Sequence, residues 1–315
     1  MRLGVAGCGR IAERGYIPAV LGAEEIAIAG FADPDAERRS GCAALWARGG
    51  GEAAAFASAA ELLAAVPIDL LVVAAPAAHH VALAEMAAAA GVRSLVEKPP
   101  GPDLDAARRL AALDPQPHLA FNRRFLQGAE LRDAVPADGW LELDLELRFR
   151  RGDWGAHEAD DEALLDAGLH LIDLACHLSG AAPIAVRRAQ VEPERASLEL
   201  ELARGRARIA CATDRGHREL VSVRDRSGKL LARSSWGGLR TRVGGLLGRP
   251  DPLVLSLRRQ LEALNASVPA YREQLRRVAA ADDGAVAMAV VEAARRSAAL
   301  GGAEVTVAPL AGASR

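Results

Sequence analysis

Residues 1–122 predict a doubly wound α/β domain on a parallel sheet, and residues 123–315 an α+β domain on an open, mostly antiparallel sheet flanked by helices. Three observations lead there. The first third of the chain alternates short unbroken apolar runs with helical stretches, the pattern of a parallel sheet covered on both faces. A glycine-rich turn, Gly7-Cys8-Gly9, follows the first of those runs. Beyond Phe125 the runs give way to apolar–polar alternation, the mark of strands with one wet face. At 315 residues and 50% hydrophobic, the chain can bury two cores, with about 150 residues per domain as the guide.

Taken in order, strands are expected at 3–7, 26–32, 70–75, 93–96 and 118–121. Helices are expected between them at 10–21 (interrupted at Pro18), 35–48, 59–65, 80–90 and 103–113. The boundary falls near residues 122–126. Residues 141–150 then read Leu-Glu-Leu-Asp-Leu-Glu-Leu-Arg-Phe-Arg. Residues 197–204, 207–213, 219–224 and 229–232 continue in that style, separated by turns such as Arg204-Gly205 and Ser227-Gly228. Helices at 163–178, 253–266 and 284–300 would flank this second sheet.

Composition excludes several classes. A net charge of −2 lacks the basic balance that supplies most nucleic-acid affinity, and the arginines around 148–151 and 240–249 read as solvated loops. No apolar run reaches the ~18–20 residues of a membrane span, since the alanine-rich stretch 81–92 is too short and contains Glu85. The opening residues run straight into a strand, without the basic and apolar regions of a secretory signal. Cys8, Cys42, Cys176 and Cys211 are scattered, with no Cys-x-x-Cys pair, which fits a reducing cytoplasm and excludes common zinc spacings. The expectation is a cytoplasmic protein with neither a membrane nor a nucleic acid as partner.

The turn Gly7-Cys8-Gly9-Arg10-Ile11-Ala12 is a G-x-G-x-x-A fingerprint between a strand and a helix. Gly7 permits the tight turn, Gly9 lets backbone approach a pyrophosphate, and Ala12 lets helix pack on strand. Asp33 closes the next strand, where a carboxylate accepts hydrogen bonds from a ribose. Together these read as a Rossmann domain for a dinucleotide, against the plainer alternative of a doubly wound domain with another ligand. A carboxylate there repels a 2′-phosphate and favours NAD. Arg38, five residues on, could pair with that phosphate and keeps NADP open.

In the second half, Asp166, His170, Asp173 and His177 follow steps of four, three and four, one stripe on a helix. An imidazole flanked by carboxylates is a good general base, because the anions stabilise the imidazolium. The same stripe could hold a metal, but no further ligand cluster supports one, so none is expected. His177 reads as a core histidine. Lys98 could be an ordinary surface lysine, yet it follows a buried strand at the carboxyl edge of the sheet, where such sheets bind ligands. Asp153, Trp154 and His157 precede the helix, as substrate contacts or as a lid. Of Arg123 and Arg124, one could reach the cleft while the other pairs structurally.

Four stretches carry a family likeness: Ser94-Leu95-Val96-Glu97-Lys98-Pro99, Asn122-Arg123-Arg124-Phe125, Asp166-Ala167-Gly168-Leu169-His170-Leu171-Ile172-Asp173, and Val291-Glu292-Ala293-Ala294-Arg295-Arg296-Ser297. With the glycine turn, they resemble the glucose–fructose oxidoreductase/inositol dehydrogenase/rhizopine catabolism family, written Gfo/Idh/MocA. The resemblance implies reversible oxidation of a secondary alcohol on a sugar, cyclitol, sugar acid or nucleotide sugar with NAD(P). It implies His170 as acid/base with Asp166 beside it, Lys98 at the reacting hydroxyl, and Pro99 fixing the turn, with a cis bond. It implies Gly7, Gly9, Arg10, Ile11, Asp33, Arg38, Ala75, Pro76, His80, Glu97 and Lys98 on the cofactor side, and Arg123, Trp154 and Asp173 on the substrate side. One departure stands out: where the family has Thr-Pro-Asn with His three residues beyond, this chain reads Ala75-Pro76-Ala77-Ala78-His79-His80, so His80 matches and the Asn is lost. Homodimers or homotetramers through the second sheet are implied, as a cover for Leu and Val on its exposed face. Two other outcomes share the fold: glycoside cleavage with transient oxidation on tightly held NAD, and a non-catalytic NAD(P)-sensing regulator. Loss of Lys98 or His170 would mark the regulator, and both are present.

Overall fold

The apolar runs of the first third become strands β1 (Arg2–Ala6), β2 (Ala27–Ala32), β4 (Leu70–Val73), β5 (Arg93–Val96) and β6 (His118–Leu119), with a short β3 (Ala54–Phe56) that the sequence did not announce. The computed structural model describes residues 1–23, 25–132, 134–136, 138–154, 162–237, 251–265, 275 and 277–309. It divides into two units, one of Met1–Phe125 with Asp251–Ala285, the other of Leu126–Pro250 with Val286–Arg315.

In the first unit the strands lie in the order β3-β2-β1-β4-β5-β6, all parallel, with β13 (Ala279–Ala280) antiparallel at the β6 edge. The order reverses between β1 and β4, and that is where such a sheet opens a ligand crevice beyond its carboxyl ends. All four residues of β4 are buried, as a sheet covered on both faces requires. Side chains cap three of the helices. Asp35 accepts from the Glu37 and Arg38 amides before α2 (Ala36–Arg48). Ser58 accepts from Glu61 N before α3 (Ala59–Ala65), while Glu61 Oε2 accepts from Ala57 N. Asp103 caps α5 (Leu104–Ala111), and α4 (His80–Ala89) follows β4.

The expected interruption at Pro18 takes a different form. Residues Ala12–Tyr16 make a π turn that runs into α1 (Ile17–Leu21), and Ile17 N donates to Ala12 O, five residues back. Widening the helix just before Pro18 accommodates its missing N–H and its ring without a break.

A single boundary after residue 122 does not describe the chain's path. Helix α8 (Pro252–Leu264) belongs to the first unit, where Leu257, Leu261 and Leu264 are buried in one cluster with Leu3, Val5, Tyr16 and Phe31. Gln260 donates to Leu119 O at 2.8 Å and Arg258 to Ala19 O at 3.2 Å. Amphipathic spacing fixes that residues 252–264 form a helix; it does not say which core receives it.

The second unit carries β7 (Leu141–Arg150), β8 (Pro183–Val191), β9 (Arg195–Leu202), β10 (Gly205–Ala212), β11 (Asp214–Asp225), β12 (Leu230–Gly237) and β14 (Val305–Thr306), in the order β12-β11-β7-β10-β9-β8-β14. Among the described strands of this sheet only β7 and β10 pair in parallel. The expected exposure of Leu and Val on this sheet is corrected: Leu141, Leu143, Leu145, Leu147, Leu198, Leu200, Val221 and Val223 are all buried. The alternate residues form a cross-strand charge ladder instead. Arg208 Nε stands 2.8 Å from Asp144 Oδ1, Arg206 pairs with Glu142, and Arg218 Nε lies 3.5 Å from Glu146 Oε2. Such a face is stable in water, so the apolar argument for a second copy as its cover falls away.

Candidate functional site

The glycine turn is built for backbone approach. Gly7 has φ +99, and a Cβ on it would stand 2.5 Å from Ala74 C and Ala75 N, so no other residue fits there. Gly9 is its opposite: a Cβ there would meet no heavy atom of the described residues within 4 Å, which leaves open space among them over the turn. The first amides of the following helix have no intrahelical acceptor and are available to an anion. Asp33 is buried and fixed by two backbone amides, Oδ2 accepting from Cys8 N at 2.8 Å and Oδ1 from Asp35 N at 2.9 Å. Each oxygen retains a lone pair for a ribose hydroxyl. A free cradle over Gly9 beside an oriented carboxylate fits a dinucleotide. Cys8 is no nucleophile, because its hydrogen bond to Cys42 and its burial push the thiol up.

Arg10 and Arg38 are more exposed. Arg10 Nη1 lies 3.6 Å from Glu13 Oε2, and Arg38 Nε 3.4 Å from Asp35 Oδ2. Surface pairs of this kind are weak, so either arginine can turn to a phosphate. Ile11 packs against Gly15 on the first helix.

Because β4 lies next to β1 in parallel, the loop Ala75-Pro76 opens beside the glycine turn. Pro76 starts the short helix Ala77–His79. His80 is buried, its Nε2 2.7 Å from Ala75 O and its Nδ1 2.8 Å from Pro99 O. The ring therefore ties the loop after β4 to the loop after β5. The Lys98-Pro99 bond is cis.

Glu97 closes β5 with its carboxylate turned inward, and its oxygens accept from Tyr16 OH at 2.8 Å and Lys98 N at 3.2 Å. Burial pushes this carboxyl up, opposed by the Tyr16 hydrogen bond and by the charges of Lys98 and Arg123. Lys98 follows at the carboxyl edge of the sheet. The chain has only two lysines, Lys98 and Lys229, all its other basic side chains of this kind being arginine. An arginine-biased chain that holds lysine here holds the compact, deprotonatable cation, which guanidinium cannot replace. In the turn Asn122–Phe125, Arg123 Nη1 donates to Asn122 Oδ1 at 2.8 Å, whereas Arg124 is buried and paired with Asp283 Oδ2 at 3.3 Å.

In the second unit Asp166 lies on a π turn, Leu164–Gly168, which passes into α7 (Leu169–Ser179). The continuous α stripe expected from residue 166 to 177 therefore begins with a wider turn. Gly168 sits in close packing, where a Cβ would come 2.8 Å from Leu164 Cδ1 and 3.2 Å from Cys211 Sγ. His170 is 5% exposed and Asp173 2%, so both are buried polar groups on α7. Asp166 Oδ2 accepts from Arg151 Nη2 at 3.2 Å and Nε at 3.3 Å. The reading of residues 148–151 as a solvated loop is corrected by that pair and by Arg148 Nε, 3.6 Å from Glu146 Oε1. Arg151 begins the turn Arg151–Trp154, in which Asp153 is exposed. The Trp154 side chain, His157 and the arginines of 240–249 lie outside the described residues. Among the described residues no three His, Cys, Asp or Glu side chains gather as a metal ligand set, and no helix is long and apolar enough to cross a membrane.

Sequence reasoning passed over two residues of these sites, Arg151 and Tyr16. Arg151 was signalled only by its place at the end of a strictly alternating strand. Tyr16 was signalled only by rarity, as one of two tyrosines.

A parallel sheet in the order 3-2-1-4-5-6, with a glycine turn at its switch point and an acidic residue closing β2, defines a dinucleotide-binding domain. Residues 1–121 match the model of the oxidoreductase family with an NAD-binding Rossmann fold, GFO_IDH_MocA. Through that match residues 1–121 are similar to the NAD-binding domain of the Gfo/Idh/MocA family. It is 32% identical over 194 residues to the UDP-N-acetylglucosamine 3-dehydrogenase of Acidithiobacillus ferrooxidans, an alignment covering 59% of this chain and 57% of that protein. The chain thus spans little more than half of that relative's length. Its fold is that of a myo-inositol dehydrogenase from Lactobacillus casei in complex with NAD(H) and myo-inositol, with TM-score 0.75, 16% identity and coverage of 100% and 98% of the two chains. It is equally that of a myo-inositol dehydrogenase from Corynebacterium glutamicum, with TM-score 0.74, 20% identity and coverage of 98% and 99%.

Proposed function

We propose that this chain is an NAD(P)-dependent dehydrogenase that interconverts a secondary alcohol and a ketone on a sugar, cyclitol or nucleotide sugar. The observation that carries this reading is Lys98: a lysine kept in an arginine-rich chain, directly after β5 at the carboxyl edge of a dinucleotide-binding sheet. Bound NAD(H) supplies or accepts the hydride. The chain's own residues do the rest. Asp33, held by two amides, accepts from the adenosine ribose and disfavours a 2′-phosphate, so NAD is the preferred cofactor; Arg38, exposed nearby, is the residue that would admit NADP. Lys98 offers its ammonium to the substrate oxygen, where it offsets charge as the hydroxyl proton leaves. His170 takes that proton, and Asp166 and Asp173 on the same helical run favour the imidazolium. Arg151 holds Asp166 in place. Arg123 and Trp154 are the further substrate-side residues. The class of polyol is supported by the family match over residues 1–121 and by the named relatives, one for a nucleotide sugar and two for an inositol. A cytoplasmic homodimer or homotetramer is the form the family resemblance implies.

The test is nicotinamide absorbance across a panel of sugars, cyclitols and nucleotide sugars with NAD and NADP. Once a substrate turns over, Lys98→Ala and His170→Ala should each lower kcat by about 10²-fold or more, while NADH binding, read by fluorescence, persists. Near wild-type kcat in either variant overturns the catalytic assignment.

A further inference from the structure

That chemistry leaves one buried pair unused. Tyr16 lies on the π turn with no exposed surface, and its hydroxyl donates to Glu97 Oε1 at 2.8 Å. Glu97 is 8% exposed, and its other oxygen accepts from the amide of the very next residue, Lys98. A ring that merely filled this core could be phenylalanine. We propose that Tyr16 is a positioning residue, its hydroxyl holding the Glu97 carboxylate ionised and oriented against Lys98. The functional weight of this inference rests on the assignment of Lys98 made above.

The physical case is a balance of opposed effects. Burial favours the neutral form of Glu97, while the Tyr16 hydroxyl, the Lys98 charge and amide, and the Arg123 charge favour the anion. Tyr16 is pushed well up by burial and by the charge of Glu97, so it stays a phenol and a donor at every working pH. Without that donor the carboxyl would take up a proton more readily, and a neutral Glu97 would bring no negative charge to Lys98. The contact joins the first helix to the end of β5 across 81 residues of sequence. It therefore ties the helix that follows the glycine turn to the residue directly before Lys98.

Two readouts that need neither turnover nor substrate test this. The first is infrared absorption of the protonated carboxyl as a function of pH, assigned to Glu97 by its disappearance in Glu97→Gln. Tyr16→Phe should move that titration upward by about one to two pH units. Uniform 3-fluorotyrosine, a more acidic phenol, at the chain's two tyrosines should move it downward. The second is amine labelling read by mass spectrometry, with Lys229 as the internal reference. Labelling of Lys98 relative to Lys229 should differ several-fold from wild type in both Tyr16→Phe and Glu97→Gln, because both remove the carboxylate charge beside it. The double variant should add nothing to either single one. If a cooperatively melting Tyr16→Phe leaves both readouts at wild-type values, the hydroxyl is only a structural hydrogen bond and the proposal is overturned. If Tyr16→Phe does not fold, an unmoved titration in the fluorotyrosine protein overturns it equally. Turnover in Lys98→Ala judges the dehydrogenase reading alone, so the two can fail separately.

Discussion

Gly7 and Gly9 stand two residues apart in one motif, yet they are glycine for different reasons. Gly7 answers to the fold, through its positive φ and a backbone 2.5 Å from any Cβ. Gly9 is free of that constraint, since nothing among the described residues crowds it, and on the proposed reading it answers to the cofactor. The two substitutions should therefore separate. Gly7→Ala should cost about 2–3 kcal/mol or more of stability. Gly9→Ala should leave the melting temperature nearly unchanged and weaken NADH at least tenfold, through the methyl placed against the phosphates. Equal loss of stability in both, measured by thermal melts beside fluorescence titration, would contradict this division. At this scale the sequence was legible wherever one short segment sets the local geometry, as at Gly7 and Asp33. Tyr16 and Arg151 were not, because each is defined by a partner elsewhere in the chain: Glu97 and Asp166 respectively.

Strands and helices were read best where periodicity was clean. Residues 141–150 alternate strictly and form β7 over that span; the unbroken run 93–96 forms β5. β3 is only Ala-Ala-Phe, too short to carry a period, and β8 is broken by a bulge at Arg187-Arg188 with Arg188 at φ 52. The two π turns had no period of their own to announce them. An element can also hide a titration. His118 on β6 is held neutral by burial and by the charge of Arg93, its pKa lowered to about 4. The unfolded chain takes up that proton near the ordinary 6.5, so the unfolded state gains it first as pH falls. Stability from this group is whole above pH 6.5 and drains away between about 6.5 and 4, by on the order of 3 kcal/mol. Urea unfolding at pH 7 and pH 4.5 should show a smaller difference in His118→Gln than in wild type. An identical difference would mean that His118 does not titrate in this window.

For the molecule as a whole, what matters is that the first unit is not continuous in sequence. Its nucleotide-binding strands end by Phe125, but its core is completed by α8 from residues 252–264. Hydrophobic spacing revealed that helix and was silent about its destination, because packing against Tyr16 and Ile17 is a contact between segments some 240 residues apart. The magnitudes make this partnership decisive. Leu257, Leu261 and Leu264 have no exposed surface. At about 2 kcal/mol each they represent about 6 kcal/mol of burial, comparable to the whole stability of an ordinary domain at about 5–15 kcal/mol. A fragment ending at Phe125 should therefore expose an apolar face on the first helix and fail to melt cooperatively, although it contains every residue of the family match at 1–121. Joining residues 251–285 to that fragment through a long glycine–serine linker should restore a cooperative melt and NADH binding. Leu257→Ala in the joined fragment should then cost about 2–5 kcal/mol. A fragment 1–125 that melts cooperatively and binds NADH on its own would show that α8 decorates this core and does not complete it.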